Sequence, residues 1–154
     1  MGMTVNTDKT KVMIIKSKND TYANFMYDNS NLEEVSSYNY LGIDIHHKLN
    51  CNYSIKKRIN EGWKAYFGLE NNCKETNLVM WDNKDLLFET LVTLVILYGC
   101  KVWGCNISRE SWRNIEQIQK CFIMYNLKIK SNTLYPILLI EVGLSPIESL
   151  ASYD

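Results

Sequence analysis

Hydrophobic residues dominate one continuous stretch of the chain, residues 86–104, and this stretch predicts the centre of the fold. A helix that is apolar on nearly all sides has to be covered on nearly all sides. The stretch is also too short and too interrupted to span a bilayer. We therefore predict that it forms the central helix of a small soluble core. The only polar residues between positions 86 and 98 are Glu89, Thr90 and Thr93.

Capping residues flank this predicted helix. Asp82 or Asn83 can cap its start through a side-chain oxygen. Gly99 is placed to end it in the left-handed conformation, which glycine adopts without a steric penalty. The sequence therefore predicts a helix that ends at Gly99.

The first third of the chain has the short apolar runs that are typical of strands. Residues 12–15 and 22–27 each predict a strand. Residues 28–31, Asp-Asn-Ser-Asn, indicate a turn. Residues 32–35 predict a weak strand, and we expect it to pair with residues 22–27 as a hairpin.

Residues 38–45 predict the best strand, because apolar and polar side chains alternate along them. A glycine inside a strand marks a bulge or a close backbone approach, or is a plain packing glycine. Both interpretations of Gly42 remain open here. Tyr38, Tyr40, Gly42 and Asp44 are expected on one face of this strand, and Leu41, Ile43 and Ile45 on the other.

Helical periodicity begins after Asn52 and continues to the end of the chain. Gly62 and Gly68 weaken the first helix. Ser108 can cap a later helix that has Glu110 in its first turn. The apolar positions at three- and four-residue steps are Ile55, Ile59, Trp63, Tyr66 or Phe67 and Cys73 in the first helix, and Trp112, Ile115, Ile118, Phe122 and Tyr125 in the later one.

Two short helices are predicted near the end. Thr133 opens the first and Gly143 ends it. Residues 145–148, Ser-Pro-Ile-Glu, form a capping box with proline at the first helical position. The order of elements predicts an α+β fold: short N-terminal antiparallel strands or a hairpin in residues 1–50, followed by four to five helices in residues 51–154.

Composition narrows the function only slightly. The 17 basic and 17 acidic residues balance, so charge gives no hint of nucleic acid or membrane. An odd number of cysteines, five, without a signal peptide favours reduced thiols in an intracellular protein of the cytoplasm or nucleus. A zinc site among these thiols and His46 or His47 is an alternative to buried thiols. Adjacent histidines on a strand point to opposite faces, so this pair is not expected to act as one unit.

No catalytic motif is present: there is no glycine-rich phosphate loop, HExxH, nucleophile elbow or paired-cysteine metal motif. The cluster Lys56, Lys57 and Arg58 is most simply a solvated helix face. From the residues alone, the chain is an α+β domain without an assigned activity.

Five segments nevertheless resemble, in the right order, the reverse transcriptases of non-LTR (LINE-type) retrotransposons. Each match is short, but together they cover nearly the whole chain. The matching segments are residues 6–11 with N-x-x-K-T-K, 40–43 with the YLG segment, 97–104 with L-Y-G-x-x-x-W-G, 112–122 with W-x-x-I-E-x-x-Q-K-x-F, and 141–148 with E-x-G-x-x-P-I-E.

The resemblance implies that residues 1–50 are the tail of the palm with a primer-grip-like segment, and that residues 51–154 are a thumb-like helical domain. In that family the three catalytic aspartates, which hold Mg²⁺, lie upstream of the matching region, and this sequence contains no counterpart of them. Two-metal phosphoryl transfer needs such carboxylates. The chain is therefore expected to bind no cofactor and not to be an enzyme. The abrupt start of residues 2–11 and the capping box close to Asp154 also lead us to expect a chain truncated at both ends.

The same resemblance suggests which residues contact nucleic acid. Lys9 would be a remnant of the lysine that assists the leaving pyrophosphate, or a solvated lysine at a strand edge. The expected partner is an RNA–DNA hybrid, bound weakly through its backbone, with no membrane partner. Self-association through apolar surface around residues 22–45 is also expected. The candidate nucleic-acid-binding residues are Lys9, Lys11, Tyr40, Leu41, Gly42, Lys56, Lys57 and Arg58.

Overall fold

A computed structural model describes residues 5–6, 9–15, 24–104, 107–130 and 132–151. The chain forms two compact units, Met1–Ser54 and Ile55–Asp154. We call them the strand unit and the helical unit. Short strand pairs precede a series of helices, so the predicted α+β class is confirmed.

The described part of the strand unit contains three two-stranded pairs. One pair is parallel and the other two are antiparallel, so the expectation of antiparallel strands holds for two of the three. The parallel pair joins β1 (Lys11–Val12) to β4 (Glu33–Glu34), and the antiparallel pairs join β2 (Met26–Tyr27) to β3 (Ser30–Asn31) and β5 (Ser37–Tyr40) to β6 (Ile43–His46).

The first hairpin has a different partner strand from the one predicted. Asp28 and Asn29 form the turn, with φ of 49° and 64°, as their residue types predicted. Because this turn has only two residues, β2 pairs at once with β3. The pairing continues to Leu32, whose N–H donates to the Phe25 carbonyl at 2.9 Å, so the predicted pairing of residues 32–35 with residues 22–27 is present at Leu32. Glu33 and Glu34 pair with β1 instead, so the rest of the predicted pairing is wrong. Residues 21–23 lie outside the described residues.

Residues 38–45 form a hairpin, and the prediction of one continuous strand is wrong. The chain reverses at Leu41 and Gly42, whose φ angles are 49° and 79°. Positive φ at both central residues is the geometry of a tight two-residue hairpin turn. Gly42 is therefore a turn glycine rather than a bulge or a packing residue. Tyr40 and Ile43 face each other across the pair.

The helical unit is built from the remaining elements. Residues 81–97 form one continuous helix, which we call the central helix; it contains a π-helical segment at Glu89–Thr93, where the Leu94 N–H donates to the Glu89 carbonyl five residues back. The helices are α1 (Asn52–Glu75), α2 (Trp81–Phe88), α3 (Leu94–Leu97), α4 (Cys100–Trp103), α5 (Arg109–Leu127), α6 (Tyr135–Val142) and α7 (Ile147–Leu150).

Several predicted helix ends are confirmed. The Ser108 hydroxyl accepts a hydrogen bond from the Ser111 N–H at the start of α5, and Glu110 lies in the first turn. Gly143 ends α6 with φ 71°. The central helix ends at its C-cap Tyr98, one residue before Gly99, which has φ 72° and precedes α4. The left-handed conformation predicted for Gly99 and the helix end predicted at Gly143 are therefore present.

Three predicted helix starts are wrong. The central helix begins at Trp81 after Met80, which makes no side-chain cap, so Asp82 and Asn83 lie inside its first turns. α6 follows Leu134 rather than Thr133. Pro146 precedes α7 without a side-chain cap, and Ser145 contributes its carbonyl, which accepts from the Gln119 amide. Apolar residues can precede a helix where packing supplies the stability that a cap would add.

The core of the helical unit lies between α1, the central helix and α5. Gly62 of α1 lets the helices approach: a Cβ built there would lie 2.5 Å from Ile96 Cγ1 and 3.1 Å from Ile118 Cδ1. Phe88 stacks on Phe122 with 4.3 Å between ring centroids. The buried side chains of this core include Ile55, Tyr66, Leu69, Val92, Ile96, Trp103, Ile115, Ile118, Phe122 and Ile123.

The central helix is covered on one face only, and the prediction that it is covered on nearly all sides is wrong. Phe88, Val92 and Ile96, which recur every four residues, are at most 2% exposed. In contrast, Leu86 and Leu94 are 59% and 63% exposed. Apolar composition therefore does not identify the packed face, which is set by the approach of α1 and α5.

Candidate nucleic-acid interface

The segment containing Lys9 and Lys11 forms a turn that leads into β1. The Asn6 side-chain oxygen accepts from the Lys9 N–H at 3.2 Å, and the Asn6 carbonyl accepts from the Thr10 hydroxyl at 2.8 Å. The Lys9 side chain is exposed, whereas Lys11 forms an ion pair with Glu33. The pairing with Glu33 neutralises Lys11 locally, so Lys11 is the weaker phosphate-binding candidate of the two.

Tyr40, Leu41 and Gly42 lie together at the β5–β6 turn. The Asn39 side chain supports this turn, because its oxygen accepts from the Gly42 N–H at 3.2 Å and its amide donates to Asp44 at 2.7 Å. Tyr40 and Leu41 are 58% and 70% exposed. The turn thus presents an aromatic and an aliphatic side chain to solvent, and the primer-grip role remains a prediction.

Lys56, Lys57 and Arg58 occupy successive positions on α1 and therefore do not form one patch. Successive helix residues point about 100° apart. Lys56 is exposed, while Lys57 and Arg58 are half-buried. With Ile55 buried in the core, Lys56 and Arg58 diverge toward opposite sides of the exposed surface of α1. A bound strand could meet all three only by following the helix surface.

Glu61 adds a negative charge next to this basic cluster. The Lys64 ammonium donates to the Glu61 carboxylate at 2.9 Å. This bond and the charge of Lys64, with smaller contributions from Arg58 and Lys57, lower the pKa of Glu61 below its ordinary value of 4.5. Glu61 is therefore ionised at neutral pH and offsets part of the positive charge.

Arg58 has an aromatic neighbour that sequence reasoning missed. Its guanidinium carbon lies 5.2 Å from the centroid of the Tyr98 ring, within the range of a cation–π contact. Tyr98 is 40 residues further along the chain, so no local periodicity could pair it with Arg58. The available signal was its position directly before Gly99, at the end predicted for the central helix.

The backbone of Tyr98 is held from two sides. Tyr98 is the C-cap of the central helix, and Gly99 follows it in the left-handed conformation at the start of α4. The indole N–H of Trp103 donates to the Tyr98 carbonyl at 3.0 Å, and Trp103 itself is 1% exposed. The segment at residues 97–104 therefore places the Tyr98 ring against the N-terminal part of α1.

No three His, Cys, Asp or Glu side chains in the described part of the chain lie close enough together to bind a metal ion. The described side chains thus do not fit a magnesium site of the polymerase type. The zinc site considered from the sequence includes Cys105, which lies outside the described residues, so that alternative stays a prediction. Cys73 is buried, and burial raises its thiol pKa. Cys51, Cys100 and Cys121 are half-buried, as the alternative of structural thiols expected, and Cys105 lies outside the described residues.

His46 and His47 lie side by side, and the prediction that they point to opposite faces is wrong. His46 is the last residue of β6, and the chain turns at His47, so strand alternation no longer applies. Their ring centroids are 4.3 Å apart. His47 Nδ1 bonds to the Ser36 carbonyl at 3.0 Å, and His46 Nδ1 accepts from the Lys48 N–H at 3.2 Å. Both rings thus help to close the end of the hairpin.

The sequence of this chain is similar to that of a transposon-derived protein. Over 110 residues it is 29% identical to an uncharacterized transposon-derived protein of Caenorhabditis elegans. The match covers 69% of this chain but only 38% of that protein. No protein-family profile matches the chain, and no solved structure does.

Among the helices in the described ranges, none has both the length and the apolar character needed to cross a membrane.

Proposed function

We propose that this chain is a piece of a non-LTR retrotransposon reverse transcriptase that retains weak binding to an RNA–DNA hybrid and no polymerase activity. The observation that carries the proposal is the ordered series of five sequence segments shared with that family. The similarity to a transposon-derived protein agrees with such an origin. The match to 38% of that protein also agrees with a chain that corresponds to one part of a larger polypeptide.

In this proposal the helical unit supplies the thumb-like surface. Lys56 and Lys57 offer ammonium groups and Arg58 a guanidinium at the N-terminal end of α1. Such cations position a protein on phosphates without selecting a base sequence. The net charge of zero and the nearby Glu61 limit the affinity, so binding is expected only at low salt.

The strand unit supplies the second contact region in this proposal. Lys9 is exposed, and Tyr40 and Leu41 project from a tight turn. An exposed aromatic ring can stack against a base or a sugar. Because the sequence has no counterpart of the three catalytic aspartates, Lys9 has no leaving pyrophosphate to assist, and its remaining role is electrostatic.

The proposal is tested by fluorescence anisotropy of a labelled RNA–DNA hybrid titrated with the full chain at low salt. Changing Lys56, Lys57 and Arg58 together to Ala should weaken binding by roughly tenfold or more, because up to three phosphate contacts are lost. The matched control changes Lys74, Lys128 and Lys130 to Ala. It removes the same charge from the last turn of α1 and from the C-terminal end of α5 and the residues after it. No binding by the unaltered chain, or an equal loss in both triple variants, would contradict the proposal.

A second candidate is a protein-interaction module without nucleic-acid binding. It is favoured by the large apolar side chains left exposed in each unit: Phe25, Met26, Tyr40 and Leu41 in the strand unit, and Leu86, Leu94 and Tyr98 in the helical unit. Specific capture of one protein partner together with no binding to the hybrid at low salt would favour this alternative. A folded chain that binds neither would be a relic without function.

A further inference from the structure

We propose that Tyr98 is a positioning residue that holds the guanidinium of Arg58 ready for a phosphate of the bound nucleic acid. This inference rests on the proposed function, because it concerns the same basic surface of α1. It also assigns a role to residues 97–104, a segment for which the sequence resemblance gave no site residue.

The contact itself is the first observation. The Arg58 guanidinium carbon lies 5.2 Å from the centroid of the Tyr98 ring, and Tyr98 is 47% exposed. A guanidinium can lie on an aromatic face while its N–H groups remain directed outward in its own plane. A phosphate approaching from solvent could therefore bond to the same group that the ring supports.

The second observation is that Tyr98 is itself fixed by the fold. Tyr98 is the C-cap of the central helix, and Gly99 follows it with φ 72° as the N-cap of α4. The buried Trp103 donates its indole N–H to the Tyr98 carbonyl. The ring is thus attached to a short turn between two helices whose backbone is anchored to the core by Trp103, and such support is what a binding side chain needs for precise placement.

Tyr98 should strengthen phosphate binding because it orders the Arg58 side chain before the phosphate arrives. An arginine side chain without such a contact loses rotamer freedom when it binds a ligand, and this loss of entropy weakens binding. Arg58 has lost part of that freedom already through its contact with Tyr98. Lys56 is exposed, and within the described part of the chain it makes no cation–π contact with an aromatic ring. Arg58 should therefore contribute more to phosphate binding than Lys56.

The test is a double-mutant cycle on hybrid binding with Tyr98→Leu and Arg58→Ala. Leucine keeps an apolar side chain but removes the ring, and it should weaken binding by roughly two- to fivefold, the strength of an exposed cation–π contact. Tyr98→Phe keeps the ring and should bind like the unaltered chain. In the Arg58→Ala background, Tyr98→Leu should have no further effect, because the two residues act as one unit.

A matched control uses the other cation–π pair of the helical unit. Lys74 lies 5.2 Å from the Tyr125 ring, which is 49% exposed. Tyr125→Leu therefore removes an equivalent contact away from the basic cluster and should leave hybrid binding within twofold of the unaltered chain. If Tyr98→Leu fails to fold by circular dichroism, Arg58→Lys replaces it, because lysine keeps the charge without the planar group.

The outcomes separate this inference from the proposed function. If the unaltered chain binds the hybrid but Tyr98→Leu binds equally well, or its effect persists in the Arg58→Ala background, the positioning role is wrong and the proposed function stands. Equal affinity of Arg58→Lys and the unaltered chain would also overturn the role. If the unaltered chain does not bind at all, the proposed function fails and this inference fails with it.

Discussion

At the scale of single residues, two glycines of the same helix illustrate how packing decides the effect of one methyl group. Gly62 and Gly68 both lie in α1, and both weaken the helix relative to alanine. A Cβ at Gly62 would meet buried Ile96 at 2.5 Å, whereas a Cβ at Gly68 would have no heavy atom within 4 Å. Propensity alone therefore predicts the effect of substitution at Gly68 and not at Gly62.

Gly68→Ala should raise the free energy of unfolding by about 0.5–1 kcal/mol, the gain in helix propensity. Gly62→Ala should lower it by about 1–2 kcal/mol, because overpacking at Ile96 and Ile118 outweighs that gain. Urea unfolding of both variants followed by circular dichroism checks the pair. Equal stabilisation by both substitutions would mean that α1 does not approach the central helix closely.

Glu70 is a residue whose protonation should affect stability. The carboxylate is nearly buried in α1 and accepts from the Asn126 amide at 3.3 Å, and Asn126 accepts from the Lys84 ammonium at 2.8 Å. Burial raises the pKa of Glu70 above its ordinary value of 4.5, although the Asn126 bond and the charges of Lys84 and Lys74 oppose the rise. In the unfolded chain this carboxyl titrates near its ordinary pKa.

Because the folded state retains the proton to higher pH, the Glu70 contribution to stability falls as pH rises from 4.5 through the raised pKa. The free energy of unfolding of the unaltered chain minus that of Glu70→Gln should therefore decrease from pH 4.5 toward neutrality. Urea unfolding of both proteins at a series of pH values measures this difference in the free energy of unfolding.

Glu61→Gln is a control of opposite sign. The pKa of Glu61 is lowered in the folded chain. The contribution of Glu61 to the free energy of unfolding is therefore present above pH 4.5 and is lost as pH falls below that value. A difference for Glu70 that stays constant, or that increases with pH, would contradict the burial of its carboxylate.

At the scale of elements, the β5–β6 hairpin depends on a turn at Leu41 and Gly42 that could not be predicted from the sequence pattern. Leu41 adopts φ 49°, which is unfavourable for a side chain with a Cβ. It is also 70% exposed, so replacing it removes little burial. Asparagine tolerates this conformation best among non-glycine residues in two-residue turns.

Leu41→Asn should therefore slow amide hydrogen exchange in the β5–β6 pair by roughly two- to fivefold, because it relieves about 0.5–1 kcal/mol of the left-handed penalty. Leu41→Val, with a β-branched side chain that disfavours positive φ, should speed exchange in the same pair. Exchange measured by nuclear magnetic resonance compares the two. If the order of the two variants is reversed, the turn does not have the geometry described.

The two hairpins also show which local structure could be predicted. Asp28 and Asn29 belong to the residue types that adopt positive φ, so their turn was predicted. Leu41 does not, and the alternating pattern continued across it, so residues 38–45 were expected to be one strand. Two other features depend on which helices approach each other: the covered face of the central helix and the contact between Arg58 and Tyr98. Neither could be predicted from the local pattern of apolar and polar residues.

At the scale of the whole molecule, each unit leaves large apolar side chains in contact with water. Met26 and Leu41 are 61% and 70% exposed in the strand unit, and Leu86 and Leu94 are 59% and 63% exposed in the helical unit. Exposed apolar surface of this kind favours association. The exposure of residues within 22–45 that the sequence led us to expect is present among those described.

The chain should therefore self-associate as its concentration rises. Changing Leu86 and Leu94 together to Gln should reduce this association, since both side chains face solvent and the core does not depend on them. Sedimentation velocity over a concentration series measures the change, and circular dichroism checks that the variant folds. A chain that remains monomeric at millimolar concentration would contradict the expectation.

The central claim is that Lys56, Lys57 and Arg58 of α1 bind phosphates of a nucleic acid that follows the helix surface, and the salt dependence of hybrid binding tests it most directly. Each phosphate contact contributes roughly 0.9 to the slope of the logarithm of the binding constant against the logarithm of salt concentration. We predict that affinity falls as salt rises and that changing Lys56, Lys57 and Arg58 to Ala makes this slope shallower by roughly two to three. An identical slope in the triple variant, or binding that does not depend on salt, would contradict the account.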